Sequence, residues 1–326
     1  MKTSNKSFTV KSYLALLFIS SFVVSFQSFS GNWTTENNLS GMDTVHIYLP
    51  STPPKINNKR ALMINLHGCL MSNTDMKKHA GWVDTADLFG MVVAIPDVPG
   101  KGAFSMACWD YYGKEHTRKN KHNDEIIKLA LELTSRANLN IDPKQVYITG
   151  FSSGGGQANV IACLAPDIFS GVGSLAGPGL GTTASEFKKV PSNYSADNQA
   201  ALCKKMAGTK AINLNSQIYS TIHGAADPIV SSDFNEYAAN IMANVYNSLN
   251  VSKVKTIDTD GVLSIYSDEQ GPRISKITIN NMEHKWASNG ANLGYFTNTK
   301  VDYPKYITQW FFDNNRRINM IGKKNN

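Results

Sequence analysis

For 326 residues the chain has few cysteines, four in all, and none of them forms a Cys-x-x-Cys pair or has a histidine at metal-ligand spacing. That spacing gives no ground for a zinc site, and no metal is expected. The net charge is +7, yet no dense lysine and arginine stripe interleaved with aromatics appears mid-chain. Much of the excess sits at the ends, in Lys2, Lys6, Lys11, Arg316, Arg317, Lys323 and Lys324. No nucleic-acid partner is therefore expected, and the charge reads as solubility and weak surface attraction. No internal repeat is present, which excludes a solenoid, and no linker points to a second domain. Beyond the first thirty residues no hydrophobic run is long enough to span a bilayer.

Those first thirty residues have the pattern of an export signal. Three lysines precede an apolar run from about Tyr13 to Phe26, and Ser28-Phe29-Ser30 places small residues before a cut at Gly31. The apolar run is shorter than the ~20 residues a span needs, and serines interrupt it. Residues 1–30 are expected to be a cleaved signal peptide, and 31–326 one domain exported to the periplasm or beyond, with no stable membrane insertion. In an exported chain an even cysteine count points to two disulfides, with three pairings possible. The expected pairing is Cys69–Cys108, joining two loops at one end of the sheet, and Cys163–Cys203.

Strands and helices alternate along the rest of the chain. Residues 31–43 are polar and read as an irregular arm, and Thr44 to Leu49 alternates like an edge strand. Ala61 to Leu66 is continuously apolar, the mark of a parallel strand covered on both faces. Helix-spaced apolar residues run over 75–89, with Gly90 as a stop. Further strands are expected at 91–95, 146–151, 171–176, 217–222 and 274–279, the last fed by a hairpin in 254–280. Helices are expected at 124–136, 157–164, 234–249 and 303–315. Residues 97–120 form a long loop, and 177–215 a cap-like excursion. The pattern predicts an α/β fold with a mostly parallel central sheet flanked by helices.

The most informative stretch is Tyr147-Ile148-Thr149-Gly150-Phe151-Ser152-Ser153-Gly154-Gly155-Gly156. It reads as a buried strand, a sharp Gly-x-Ser-x-Gly turn and a helix start. Small neighbours let such a turn push its serine above the sheet, where the next helix points its N–H groups. Ser152 is the candidate nucleophile. A serine needs a base, and the base an orienting acid. This architecture carries them in the order serine, acid, histidine, on loops after later strands. Asp227 follows the strand ending at His223-Gly224, and His284 follows the last strand, so the triad Ser152, Asp227, His284 is in order. Asp233 is the runner-up acid, read instead as a helix cap. His67 and His223 also sit at strand ends and are read as structural, bonding loop backbone. For a developing oxyanion, the N–H groups of Ser153 and Cys69 are the candidate donors.

Leu66-His67-Gly68-Cys69, Gly81-Trp82, Cys108-Trp109, Thr149 to Gly155, His223-Gly224-Ala225-Ala226-Asp227 and His284-Lys285-Trp286 together resemble the secreted polyhydroxybutyrate depolymerase family of esterases. That group also contains feruloyl and acetylxylan esterases. The resemblance runs from about Val45 to Trp310. It implies the α/β-hydrolase fold, the same three catalytic positions and no cofactor. Its implied substrate is an ester: short-chain polyhydroxyalkanoate or its oligomers, with feruloyl, acetylxylan or lipid esters as the alternative. It also implies exposed aromatics that grip a polymer, for which Trp109 and Trp286 are candidates.

Overall fold

The computed structural model describes residues 1–2, 31–247, 250–257 and 261–319. Residues 3–30 of the expected signal peptide, and part of the turn at Asp260, lie outside them. The strands are β1 (Asn32–Asn37), β2 (Thr44–Leu49), β3 (Arg60–Leu66), β4 (Val92–Pro96), β5 (Ile141–Phe151), β6 (Gly171–Leu175), β7 (Ile218–Gly224), β8 (Asn250–Ile257), β9 (Gly261–Asp268) and β10 (Gly271–Ile279). They form one sheet in the order β1-β2-β4-β3-β5-β6-β7-β10-β9-β8. From β4 to β10 along that order the neighbours are parallel, while β1, β2, β8 and β9 are added antiparallel at the two edges. A separate two-stranded ribbon pairs β11 (Trp286–Ser288) with β12 (Phe296–Asn298). This is the mostly parallel α/β sheet expected from the alternation, and it agrees with the α/β-hydrolase fold that the resemblance implies.

Two helical layers cover the sheet. The period of two along β3 sends Leu62, Ile64 and Leu66 to one face and Ala61 and Met63 to the other. The first face packs against α3 (Asn123–Ser135), α4 (Ser153–Leu164), α5 (Ala196–Ala207) and α6 (Asp233–Val245). The second packs against α1 (Asn73–His79), α2 (Trp82–Phe89) and α7 (Tyr303–Asn314), and a short α8 (Arg316–Asn319) ends the described chain. Each large aliphatic side chain taken fully out of water contributes roughly 1.5–3 kcal/mol, so strands apolar on both faces are secured twice.

Four differences from the sequence reading have local causes. The helix expected over 75–89 is two helices, because Gly81 adopts φ 78° and turns the chain between them. Ser72 starts the first with a reciprocal cap, its Oγ accepting from Asp75 N while Asp75 Oδ2 accepts from Ser72 N. Residues 32–37, expected within an irregular arm, pair in register with β2 and take its place at the sheet edge. The excursion at 177–215 only partly caps: Pro178, Ala184 and Phe187 line a cavity, whereas α5 is bonded through Cys203 to Cys163 on α4. Asp233 is the first residue of α6, not its cap, and accepts from Ser231 Oγ at 3.3 Å.

Candidate active site

Strands β3, β5, β7 and β10 run parallel, so their carboxyl ends open on the same edge. That edge is where open α/β sheets bind ligands. The residues just past these ends are His67, Ser152, Asp227 and His284.

Ser152 lies between β5 and α4 with φ 55° and ψ −118°, a conformation side-chain-bearing residues rarely adopt. Its N–H donates to Leu175 O at 2.9 Å and its carbonyl accepts from Gly156 N at 2.9 Å, so both sides of the turn are held. The flanking glycines are steric necessities. A Cβ on Gly150 would lie 2.3 Å from the Gly154 carbonyl, and one on Gly154 would lie 2.5 Å from His67 O. The turn thus presses against the loop that follows β3.

That loop, His67-Gly68-Cys69, passes directly beside the serine: a Cβ on Gly68 would be 3.2 Å from Ser152 Cβ. His67 is fully buried. Its Nδ1 donates to Gly68 O at 2.8 Å, and its Nε2 lies 3.0 Å from Asp97 Oδ1. Burial pushes the Asp97 carboxyl up, but His67 and the backbone N–H groups of Asn73 and Val98 outweigh it and hold it below its ordinary value. Because the peptide is planar and trans, fixing Gly68 O also fixes the Cys69 N–H, which points the opposite way. Cys69 is disulfide-bonded to Cys108, and the next residue, Trp109, donates its N–H to Ser153 Oγ at 3.4 Å.

Asp227 and His284 meet. His284 Nδ1 is 2.7 Å from Asp227 Oδ2, and both side chains are almost wholly buried. A carboxylate only accepts, so Nδ1 carries the proton and a neutral ring keeps its lone pair on Nε2. Asp227 Oδ1 accepts from Ile229 N at 2.8 Å and Val230 N at 2.9 Å. Burial raises the affinity of this carboxyl for a proton. Hydrogen bonds from His223 and His284, and their charge, outweigh that and hold it well below the usual carboxylate range. The His284 ring packs on Phe151 with centroids 4.8 Å apart, and Tyr295 meets it edge-on.

Ser152, Ser153, Cys69 and His284 all line one cavity of about 460 Å³. Among the described residues no hydrogen bond joins the Ser152 hydroxyl to His284. Such bonds are often long without substrate and shorten on binding.

The model of a family described as esterase PHB depolymerase matches residues 44–249. The chain belongs to that family. Among curated esterases it is 34% identical over 297 residues to the poly(3-hydroxybutyrate) depolymerase of Ralstonia pickettii, covering 87% of this chain and 60% of that one. It is 27% identical over 172 residues to poly(3-hydroxyalkanoate) depolymerase C of Paucimonas lemoignei, covering 53% of this chain and 39% of that one. The chain thus spans less than two thirds of either relative's length. Among solved structures, an acetyl xylan esterase from Aspergillus awamori superposes with a TM-score of 0.65 at 16% identity, covering 78% of this chain and 94% of that one. That likeness supports the fold.

Within this family fold, two expected substrate contacts are corrected. Trp109 and Trp286 are both 0% exposed and do not line the cavity. Trp286 donates Nε1–H to Ala80 O at 3.1 Å and packs against Trp82 and Tyr303. Trp109 is packed between His67 and His122. Each ring is large enough to fill the space under a loop, and burial there outweighs display. The exposed apolar groups at the cavity are instead Leu70 and Phe104, 63% and 64% exposed, with Met106 and Ile229. The sequence signal for them was their neighbourhood: each lies within a few residues of Cys69, Cys108 or Asp227. His223, expected to bond loop backbone, does approach Val230 O at 3.2 Å, but it also reaches Asp227 Oδ2 at 3.0 Å.

Among the described residues no group of three or more histidine, cysteine, aspartate and glutamate side chains could hold a metal ion. No helix among them is long and apolar enough to cross a membrane.

Proposed function

We propose that the protein is an exported serine esterase that cleaves short-chain polyhydroxyalkanoate, polyhydroxybutyrate or its oligomers, through an acyl-enzyme. One observation carries the reading: His284, held by Asp227 at 2.7 Å, lines the same cavity as a serine in a strained turn. Ser152 Oγ attacks the ester carbonyl and His284 Nε2 takes its proton. Asp227 orients the ring and stabilises the imidazolium. The N–H groups of Ser153 and Cys69 receive the oxyanion, for which one lost donor typically costs ~3–4 kcal/mol. His284 then protonates the leaving alcohol, and water attacks the acyl-enzyme by the same route in reverse.

The cavity and the family support this substrate class. Leu70, Phe104, Met106 and Ile229 offer an apolar rim suited to the methyl-bearing backbone of a hydroxyalkanoate chain. The two relatives carry depolymerase names. Two disulfides support an oxidising destination, periplasmic or extracellular.

Fluorophosphonate labelling of the protein and of Ser152→Ala tests the chemistry. Labelling and hydrolysis lost together in the variant are expected, and a variant that keeps either overturns the triad. Clearing of polyhydroxybutyrate suspensions beside p-nitrophenyl, acetylxylan and feruloyl esters tests the substrate. Turnover confined to the plant-wall esters would replace the polyester reading.

A further inference from the structure

Asp227 Oδ2 accepts from two imidazoles, although a triad acid needs only one. His284 Nδ1 approaches it at 2.7 Å and His223 Nε2 at 3.0 Å. His223 is the penultimate residue of β7 and is 1% exposed. The same Nε2 lies 3.2 Å from Val230 O. Both partners can only accept, so this nitrogen carries the proton and a neutral His223 ring has none on Nδ1. With Ile229 N and Val230 N on Oδ1, the carboxylate receives four N–H groups, which uses its full acceptor capacity.

We propose that His223 is a positioning residue for the triad acid, holding Asp227 Oδ2 as a second donor beside His284 and limiting how strongly that oxygen binds a protonated His284. This rests on the triad reading above. A donor on Oδ2 draws negative charge from it, so the oxygen stabilises the imidazolium less than it would alone. Removing the donor strengthens the Asp227–His284 pair and makes it harder to deprotonate. The limb of the pH profile below which the base is lost then moves upward.

The other groups near the pair do not offer the same lever. From the loop after β10, Glu283 and Lys285 line a separate shallow depression with Asn280 and Asn281. From α6, Asp233 is engaged by Ser231 Oγ. Tyr295 meets the His284 ring by its edge, and Ser152 faces it across the cavity.

His223→Met fills the same space without a donor, and His223→Gln keeps an N–H at a similar reach. With a soluble p-nitrophenyl ester, His223→Met should lower plateau kcat about tenfold, because a carboxylate with one anchor fewer holds the His284 ring less well in line with Ser152. It should also raise the acid limb of kcat/KM by about half a pH unit or more. His223→Gln should restore both in large part. An unmoved limb in His223→Met, or equal losses in both variants, would mean simple packing and overturn the proposal. Should neither variant fold, histidine-selective nitrogen NMR of the unmodified protein decides: the Nε2–H tautomer of His223 is expected, and the Nδ1–H tautomer refutes it. A protein that hydrolyses no ester and takes no fluorophosphonate on Ser152 sinks the triad reading itself. One that does both, with an unmoved limb in His223→Met, sinks this inference alone.

Discussion

Replacing Asp227 by asparagine would place an amide where four N–H groups converge on oxygen. One of the two amide positions must then turn a donor toward a donor. If the amide nitrogen faces His284, the ring adopts the other tautomer and its Nε2 can no longer take the serine proton. Asp227→Asn should lower kcat by about 10⁴-fold, the scale seen when a triad ring is held in the wrong tautomer, while leaving the protein folded by circular dichroism. Loss below about tenfold would point to a different acid. At this scale the sequence was most legible where chemistry demands rare combinations. A serine between two close-packed glycines, an aspartate and a histidine past strand ends could be found by type and order. The second imidazole on Asp227 could not, because it depends on which ring nitrogen reaches across a turn, although the four-residue spacing of His223 and Asp227 hinted at it. Trp109 and Trp286 were misplaced for a related reason: an aromatic beside a site motif looks the same in sequence whether it lines the cavity or underpins it.

Among the elements, the loop after β3 and the loop at 97–120 form one unit, stapled by Cys69–Cys108. Leu70, Phe104, Ser105 and Ala107 all have φ between 53° and 59°, a region that side chains disfavour. Leu70 N donates to Met106 O and Ala103 N to Cys108 O, both at 2.8 Å, which holds the chain in this costly shape. The second crosslink, Cys163–Cys203, spans 40 positions against 39 for the first, so the two close loops of nearly the same length. Removing either pair by double serine substitution should cost a similar ~2–4 kcal/mol in denaturant unfolding. Only the Cys69 and Cys108 double variant should also lose kcat/KM. Equal kinetic losses would show that the staple serves stability alone. The parallel strands were legible because burial on both faces leaves them continuously apolar. Strand β1, Asn-Trp-Thr-Thr-Glu-Asn, was not, since an edge strand with mostly polar side chains carries no such mark. The break between α1 and α2 was masked by apolar spacing that continues through Gly81.

Across the whole molecule, Asp268 fastens Arg316 of α8 to the β9–β10 hairpin. It lies at the end of β9, accepts from both Arg316 nitrogens at 2.5 and 2.7 Å, and lies 3.0 Å from Arg273 Nη1. Burial pushes its carboxyl up, but these cations and the Gln270 N–H hold it down to about 2. A depressed carboxyl contributes stability that is full above the unfolded value near ~3.9 and is lost as pH falls through the folded one. Asp268→Asn should therefore cost about 1–3 kcal/mol at neutral pH, and the gap to the unmodified protein should narrow between pH 4 and 2. Denaturant midpoints across that range check it, and a gap independent of pH would contradict it. The five tryptophans are distributed so that Trp82, Trp109, Trp286 and Trp310 are buried and only Trp33 reaches the surface. The protein should consequently emit at the blue end of the indole range and resist acrylamide quenching. Its ultraviolet fluorescence would follow unfolding faithfully and stay nearly silent when a ligand fills the cavity, whose aromatic lining holds phenol, phenyl and imidazole rings and no indole.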